Sequence, residues 1–248
     1  KAIRRQRQMC IRDRYTYTPP ENKRVSPFRP VVVGFGPAGM FAALVLAKAG
    51  LRPIVLERGK AVEERRKDVD LFWKERVLNE ESNVQFGEGG AGTFSDGKLT
   101  TGIKSPFIRQ VLIDLYDAGA PEEILYSSKP HIGTDRLEVV VKNIRKKVES
   151  LGGEVRLECK LEKLIVANKF VHGITYSHHG ESFDLETDSV ILAIGHSARD
   201  TVEMLFNMGC EIIQKPFSVG ARIEHPQKLI DKAQYLSLIH ISEPTRLD

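Results

Sequence analysis

A chain of 248 residues can bury one large core or two smaller ones, and its 41% apolar and 28% charged residues exclude a disordered polymer. Its longest apolar run, Met40 to Ala47, stops at Lys48, far short of the roughly 20 residues a membrane span needs, so no membrane partner is expected. The net charge of +4 would suit a nucleic-acid ligand, but residues 15–235 are neutral overall and the excess sits in residues 1–14, which argues against nucleic acid.

Those ends carry a further oddity. Met9 to Arg14 can be written as a DNA string whose reverse complement encodes Leu236 to His240 and begins Ile241, and both strings resemble a transposon-end adapter used in sequencing libraries. The expectation is that residues 1–14 and 236–248 are foreign to the natural frame and take no part in the fold. Residues 15–30, with Pro19, Pro20, Pro27 and Pro30, read as an extended linker.

From there the elements follow in order. Val31-Val32-Val33 is a short β-branched run bounded by proline and glycine, which suits a strand buried on both faces. Small and apolar residues from Ala38 to Ala49 predict a helix closed by Gly50, and Arg52 to Glu57 predicts a second buried strand. This strand–helix–strand unit implies parallel pairing with a right-handed crossover. Residues 60–80 are highly charged and read as a surface helix; a glycine-rich stretch runs from Gln85 to Gly102. Helices are expected over 106–118 and 135–151, the second amphipathic through Val140, Val141, Ile144 and Val148 and stopped by Gly152-Gly153. Strands follow at 154–157 and 163–166, a hairpin turns at His178-His179-Gly180, and 189–194 reads as another buried strand ending at Gly195. The expected fold class is α/β, Rossmann-like, with a parallel central sheet and an antiparallel β-meander. Residues 31–235 form its one domain, with part of an inserted substrate region at about 100–150.

The chemistry concentrates at Gly34-Phe35-Gly36-Pro37-Ala38-Gly39, between predicted strand and helix. The first glycine permits the tight turn, the second lets backbone approach a pyrophosphate, and the third lets helix pack on strand. The helix N-terminus adds partial positive charge for the phosphates. Glu57, 18 residues after Gly39 at the end of the second strand, is placed to accept ribose hydroxyls and disfavours a 2′-phosphate. This much fits NAD or FAD alike. Gly89, Gly90, Thr93, Phe94, Ser95, Asp96, Gly97 and Lys98 form a loop able to bring backbone donors close to a planar ring, and Lys98 could face a reduced flavin. Cys10, Cys159 and Cys210 are too scattered for a disulfide framework, a metal-ligand pair or a dithiol relay, so a reducing, cytoplasmic setting is expected. His131, His196 and His225 are candidates for proton transfer but read more simply as structural or cofactor-contacting groups; Ser197 with Asp200 reads as a helix capping box.

Val31 to Gly39, Val55 to Gly59 (with Arg58), Gly89 to Leu99 and Ala193 to Thr201 together resemble an uncharacterised bacterial family of FAD-dependent dehydrogenases within the glutathione-reductase-type flavoproteins. The similarity runs from about residue 28 to 235 and includes His225-Pro226-Gln227 and Ala233-Gln234-Tyr235. The resemblance implies FAD as cofactor, hydride transfer as the reaction class, and a small-molecule substrate with NAD(P)H as partners. It implies that Ala193, Gly195 and His196 approach the FAD and that Leu161 meets the adenine through its backbone. It also implies a ribityl-binding Gly-Asp segment beyond residue 235, so that this chain alone is expected to be inactive. An NAD-dependent dehydrogenase and a non-redox dinucleotide sensor are the alternatives.

Overall fold

Three valines in a row with no polar interruption make β1 (Val31–Val33), and all three are buried. The computed structural model describes residues 17–18, 21, 25–95, 97–216, 219–221 and 223–235; the two expected adapter segments and Asp96 lie outside the described residues. The chain divides into a unit ending at Cys210 and a second unit from Glu211 onward.

In the first unit β1 leads through helix α1 (Pro37–Lys48) to β2 (Ile54–Leu56). Helix α1 has Pro37 in its first turn and buries Gly39, Ala43 and Ala47, a small-residue stripe at four-residue spacing that brings the helix close to the sheet. Helix α2 (Val62–Glu75) stops at Arg76, whose φ of 61° ends it ahead of the expected residue 80. Helix α3 (Phe107–Asp117) and a 3₁₀ turn (Glu122–Leu125) precede α4 (Thr134–Ser150), the crossover from β2 to β3 (Glu154–Arg156). Strands β4 (Cys159–Ala167), β5 (Phe170–His178) and β6 (Glu181–Glu186) form the antiparallel meander, and β7 (Val190–Leu192) and α5 (Arg199–Asn207) complete the unit. The two-residue turn between β5 and β6 places His179 and Gly180 at φ of 51° and 85°, the left-handed pair such hairpins need.

The main sheet is parallel in the order β3-β2-β1-β7, with Val32 opposite Val55 on one side and Ile191 on the other. Alternation along the strands divides the core by face. Val32 and Val55 join α1 and α4 through Ala43, Leu44, Val140 and Ile144, whereas Val31, Val33, Ile54 and Leu56 pack on Leu161, Ile174 and Tyr176 of the meander. Helices, parallel sheet and meander therefore stack as three layers: the α/β Rossmann-type fold expected from the motif. Residues 134–150 are part of it, since α4 supplies a sheet crossover.

Two expectations change. The strand expected at 189–194 reads as buried, but β7 is an edge strand with Ile191 and Leu192 each 39% exposed; an apolar run alone does not distinguish a central strand from an edge. Helix α2 is charged yet not a purely surface helix, because Val62, Arg65 and Val69 are buried at helical spacing. The second unit holds α6 (Gln227–Tyr235), where Gln227 donates to Asp231 one turn on at 2.7 Å. No helix among the described residues is long and apolar enough to cross a membrane.

Candidate functional site

The strand order reverses at β1, where β2 leaves on one side and β7 returns on the other. Loops after parallel strands diverge at such a point and leave a crevice at the carboxyl ends. A cavity of about 540 Å³ opens there, lined by Val33 and Gly34 at the end of β1, Leu56 to Arg58 at the end of β2, and Leu192 to Ala198 from the end of β7 onward. Gln85 to Gly87 and Gly90 to Gly92 form another wall, and Cys159 to Leu161 of β4 close the far side. That volume lies within the range of small-molecule clefts.

The three motif glycines separate by role. Gly34 has φ +97°, and a Cβ there would strike the Ala193 carbonyl; a Cβ at Gly39 would strike the Gly34 carbonyl. Both positions are closed by the fold itself. Gly36 is different: its φ of −76° suits any residue, and a Cβ would meet only the Gly90 Cα at an ordinary 3.6 Å. Gly36 lines the cavity, so its lack of a side chain leaves space for a ligand. The first-turn N–H groups of Ala38 and Gly39 have no acceptor within the helix, and Pro37 supplies none to waste.

Glu57 is 4% exposed and its carboxylate accepts three backbone N–H groups: Phe35 at 2.7 Å, Gly59 at 2.9 Å and Gly87 at 3.0 Å. It thereby ties the motif loop, its own strand end and the glycine-rich wall together. A carboxylate has about four acceptor directions, which leaves one for a ribose hydroxyl.

Arg65 organises the glycine-rich wall, and nothing in the sequence reading singled it out. The side chain is fully buried and donates to the carbonyls of Asn83 at 2.8 Å, Glu88 at 2.7 Å, Val84 at 2.9 Å and Gly90 at 2.9 Å. Its planar fork spaces these carbonyls, while Phe94 lies under the guanidinium at 4.9 Å. Burial pushes the group down to about 10, against the pull of Glu57 and Glu88, so it remains charged at neutral pH. Glu88, also fully buried, accepts the Val62 N–H at the start of α2 and pairs with Arg145 of α4 at 2.9 Å; burial raises its carboxyl above the usual range.

At the rim, Arg58 donates to Glu81 at 2.6 Å and to both oxygens of Asp200 at 3.1 and 2.8 Å, with its guanidinium 4.3 Å from the Phe86 ring centre. Lys160 pairs with the same two carboxylates, at 3.2 Å from Glu81 and 3.0 Å from Asp200. The expected capping box at Ser197 and Asp200 is therefore corrected: α5 is preceded by Ala198 with no side-chain cap, and the Asp200 carboxylate is turned to Arg58 and Lys160. Arg58 holds the Asp200 carboxyl well below its ordinary value; burial raises Glu81, but Arg58 and Lys160 together outweigh this and lower it. A carboxylate depressed in the folded state contributes stability that is complete above its unfolded pKa and is lost as acid protonates it. The melting temperature is thus expected to fall as pH drops below about 4, and to fall less steeply in Asp200→Asn, as a thermal melt series from pH 6 to 2 would show.

Of the residues singled out by sequence, Gly34, Gly36, Pro37, Ala38, Glu57, Arg58, Gly90, Leu161, Ala193, Gly195 and His196 come together on this cavity. Gly39 supports it from behind. Gly89, Thr93, Phe94, Ser95, Gly97 and Lys98 are not among its lining residues. Thr93 is buried beside Arg65, and Gly97 to Leu99 pairs with Pro130 to Ile132, which sets exposed Lys98 opposite His131 rather than at the cavity. Asp96 lies outside the described residues, and His225 belongs to the second unit. Among the described residues no three His, Cys, Asp or Glu side chains converge as a metal site.

No protein-family model matches the chain. Over 207 residues it is 55% identical to an uncharacterised protein of Clostridium beijerinckii, an alignment covering 84% of this chain and 38% of that protein. The chain thus spans well under half the length of this curated relative. Among solved structures it is similar to THI4 of Thermovibrio ammonificans, with a TM-score of 0.50, 16% identity, and coverage of 74% of this chain and 63% of that one. A FAD-complexed glycerol-3-phosphate dehydrogenase of Bacillus halodurans superposes with a TM-score of 0.47 and 15% identity over 80% of this chain and 38% of the other.

Proposed function

We propose that the cavity at the end of β1 holds the adenosine and pyrophosphate half of FAD, and that the chain is part of a flavin-dependent oxidoreductase. One observation carries the reading: Gly36 is the motif glycine whose missing side chain leaves space for a ligand, at the mouth of a helix with free N–H groups. In this reading the pyrophosphate rests on the α1 N-terminus, where donors and dipole favour negative charge. A ribose hydroxyl takes the remaining acceptor position of Glu57. The adenine lies against Leu161 on β4, an edge strand whose outer backbone groups are not used by β5. When bound, FAD would supply hydride-transfer chemistry; the chain supplies orientation, a dry wall and electrostatics. The Rossmann-type arrangement of parallel sheet, α1 and meander accords with this choice. A small-molecule substrate and NAD(P)H as reductant complete the proposal for the whole protein.

The absorption spectrum of the purified full-length protein tests it. A flavin band bleached by a reductant supports the oxidoreductase, a band that does not bleach points to a sensor, and no flavin with measurable NAD affinity points to a nicotinamide enzyme. Gly36→Val is expected to keep the fold, since a Cβ is accommodated there, and to abolish flavin retention by filling the pyrophosphate's place. Circular dichroism with flavin fluorescence titration checks both halves of that expectation.

A further inference from the structure

The pair Glu57-Arg58 is ambiguous in a dinucleotide fold, because an acid at the end of the second strand serves a free ribose hydroxyl while a nearby arginine serves a 2′-phosphate. The structure separates the two signals. Arg58 lines the cavity, but Glu81 and Asp200 occupy its guanidinium on two edges and Phe86 covers one face. Lys160, the other cation lining the cavity at this end, is engaged by the same two carboxylates. With Glu57 included, three carboxylates face two cations among the described residues, and neither of these cations is free for an anion.

We propose that Glu81 and Asp200 set the selectivity of the adenosine end: by neutralising Arg58 and Lys160 they let the cavity accept a ribose 2′-hydroxyl and refuse a 2′-phosphate. The inference rests on the dinucleotide reading above and extends it to ligand choice. FAD and NAD, with free 2′-hydroxyls, are accepted; 2′-phosphorylated dinucleotides are not. Neither carboxylate touches the ligand in this scheme. Each acts by holding a cation that would otherwise turn to the phosphate, and replacing both with amides converts the excess of negative charge into an excess of positive charge at nearly constant shape.

The test compares 5′-ADP with adenosine 2′,5′-bisphosphate as probes, by calorimetry on this chain and on Glu81→Gln/Asp200→Asn. The original chain is expected to prefer 5′-ADP. The double variant is expected to shift that preference by about tenfold or more toward the bisphosphate, the scale of one charge-assisted hydrogen bond, and the gain should weaken with salt. Adding Arg58→Met and Lys160→Met to the double variant should remove the gain, and either one alone should remove part of it. If the double variant is unfolded by circular dichroism, the single variants Glu81→Gln and Asp200→Asn are each expected to show part of the shift. Folded variants that keep the original preference overturn the selectivity proposal alone. An original chain that binds neither 5′-ADP nor FAD overturns the dinucleotide reading and this inference with it.

Discussion

Arg65→Leu is expected to destabilise the chain by about 3 kcal/mol or more, which for this size corresponds to a melting temperature lower by roughly 6 °C or more. The reason is the number of backbone acceptors left behind. Four carbonyls, of Asn83, Val84, Glu88 and Gly90, lose their donor around a side chain that is itself fully buried, and each orphaned group carries a desolvation cost that grows with its burial. The negative groups Glu57 and Glu88 lose the cation between them as well. Arg65→Lys keeps the charge but not the fork, so it should recover only part of the loss. Denaturant melts of the three proteins check the order; a leucine variant as stable as the original would show that the wall holds itself.

Gly39→Ala is expected to cost about 3 kcal/mol, at the upper end of overpacking penalties, whereas Gly36→Ala should be close to neutral. Both replacements add one methyl group within the same motif. At Gly39 the methyl would occupy the space of the Gly34 carbonyl oxygen, which cannot retreat because Gly34 is wedged against the Ala193 backbone. At Gly36 it would meet only the Gly90 Cα at contact distance. Differential scanning calorimetry on the pair gives the comparison, and equal melting temperatures would contradict the close approach of α1 to β1 described above.

What the sequence discloses here depends on how local the cause is. The motif glycines, Glu57 and the helical pattern of α4 are legible because their physics is written within one strand–helix unit: a turn, a close approach, an apolar stripe. The burial of β7 is not, since Val190-Ile191-Leu192 reads the same whether a neighbour lies on one side or both. Asp200 misleads for a related reason. A serine three residues ahead suggests capping, but the partner that claims its carboxylate, Arg58, is 142 residues away in sequence. Arg65 is the instructive case. Its acceptors are backbone carbonyls 18 to 25 residues downstream, which carry no residue-type signature. One signal was present: Val62, Arg65 and Val69 share a helix face, so the arginine interrupts an apolar stripe just ahead of a glycine-rich loop.

Glu57 has a consequence for how such a chain can change over generations. One carboxylate joins three loops that arrive from residues 35, 59 and 87, so any replacement at this position disturbs all three at once. The acid is thereby withdrawn from gradual drift, whatever the ligand demands of it. Arg58, Glu81, Lys160 and Asp200, by contrast, meet one another at the rim through side chains alone, and substitutions there leave the loops in place. A lineage exploring new nucleotide preferences from this scaffold has its open route through those rim positions, with the acid as a fixed point.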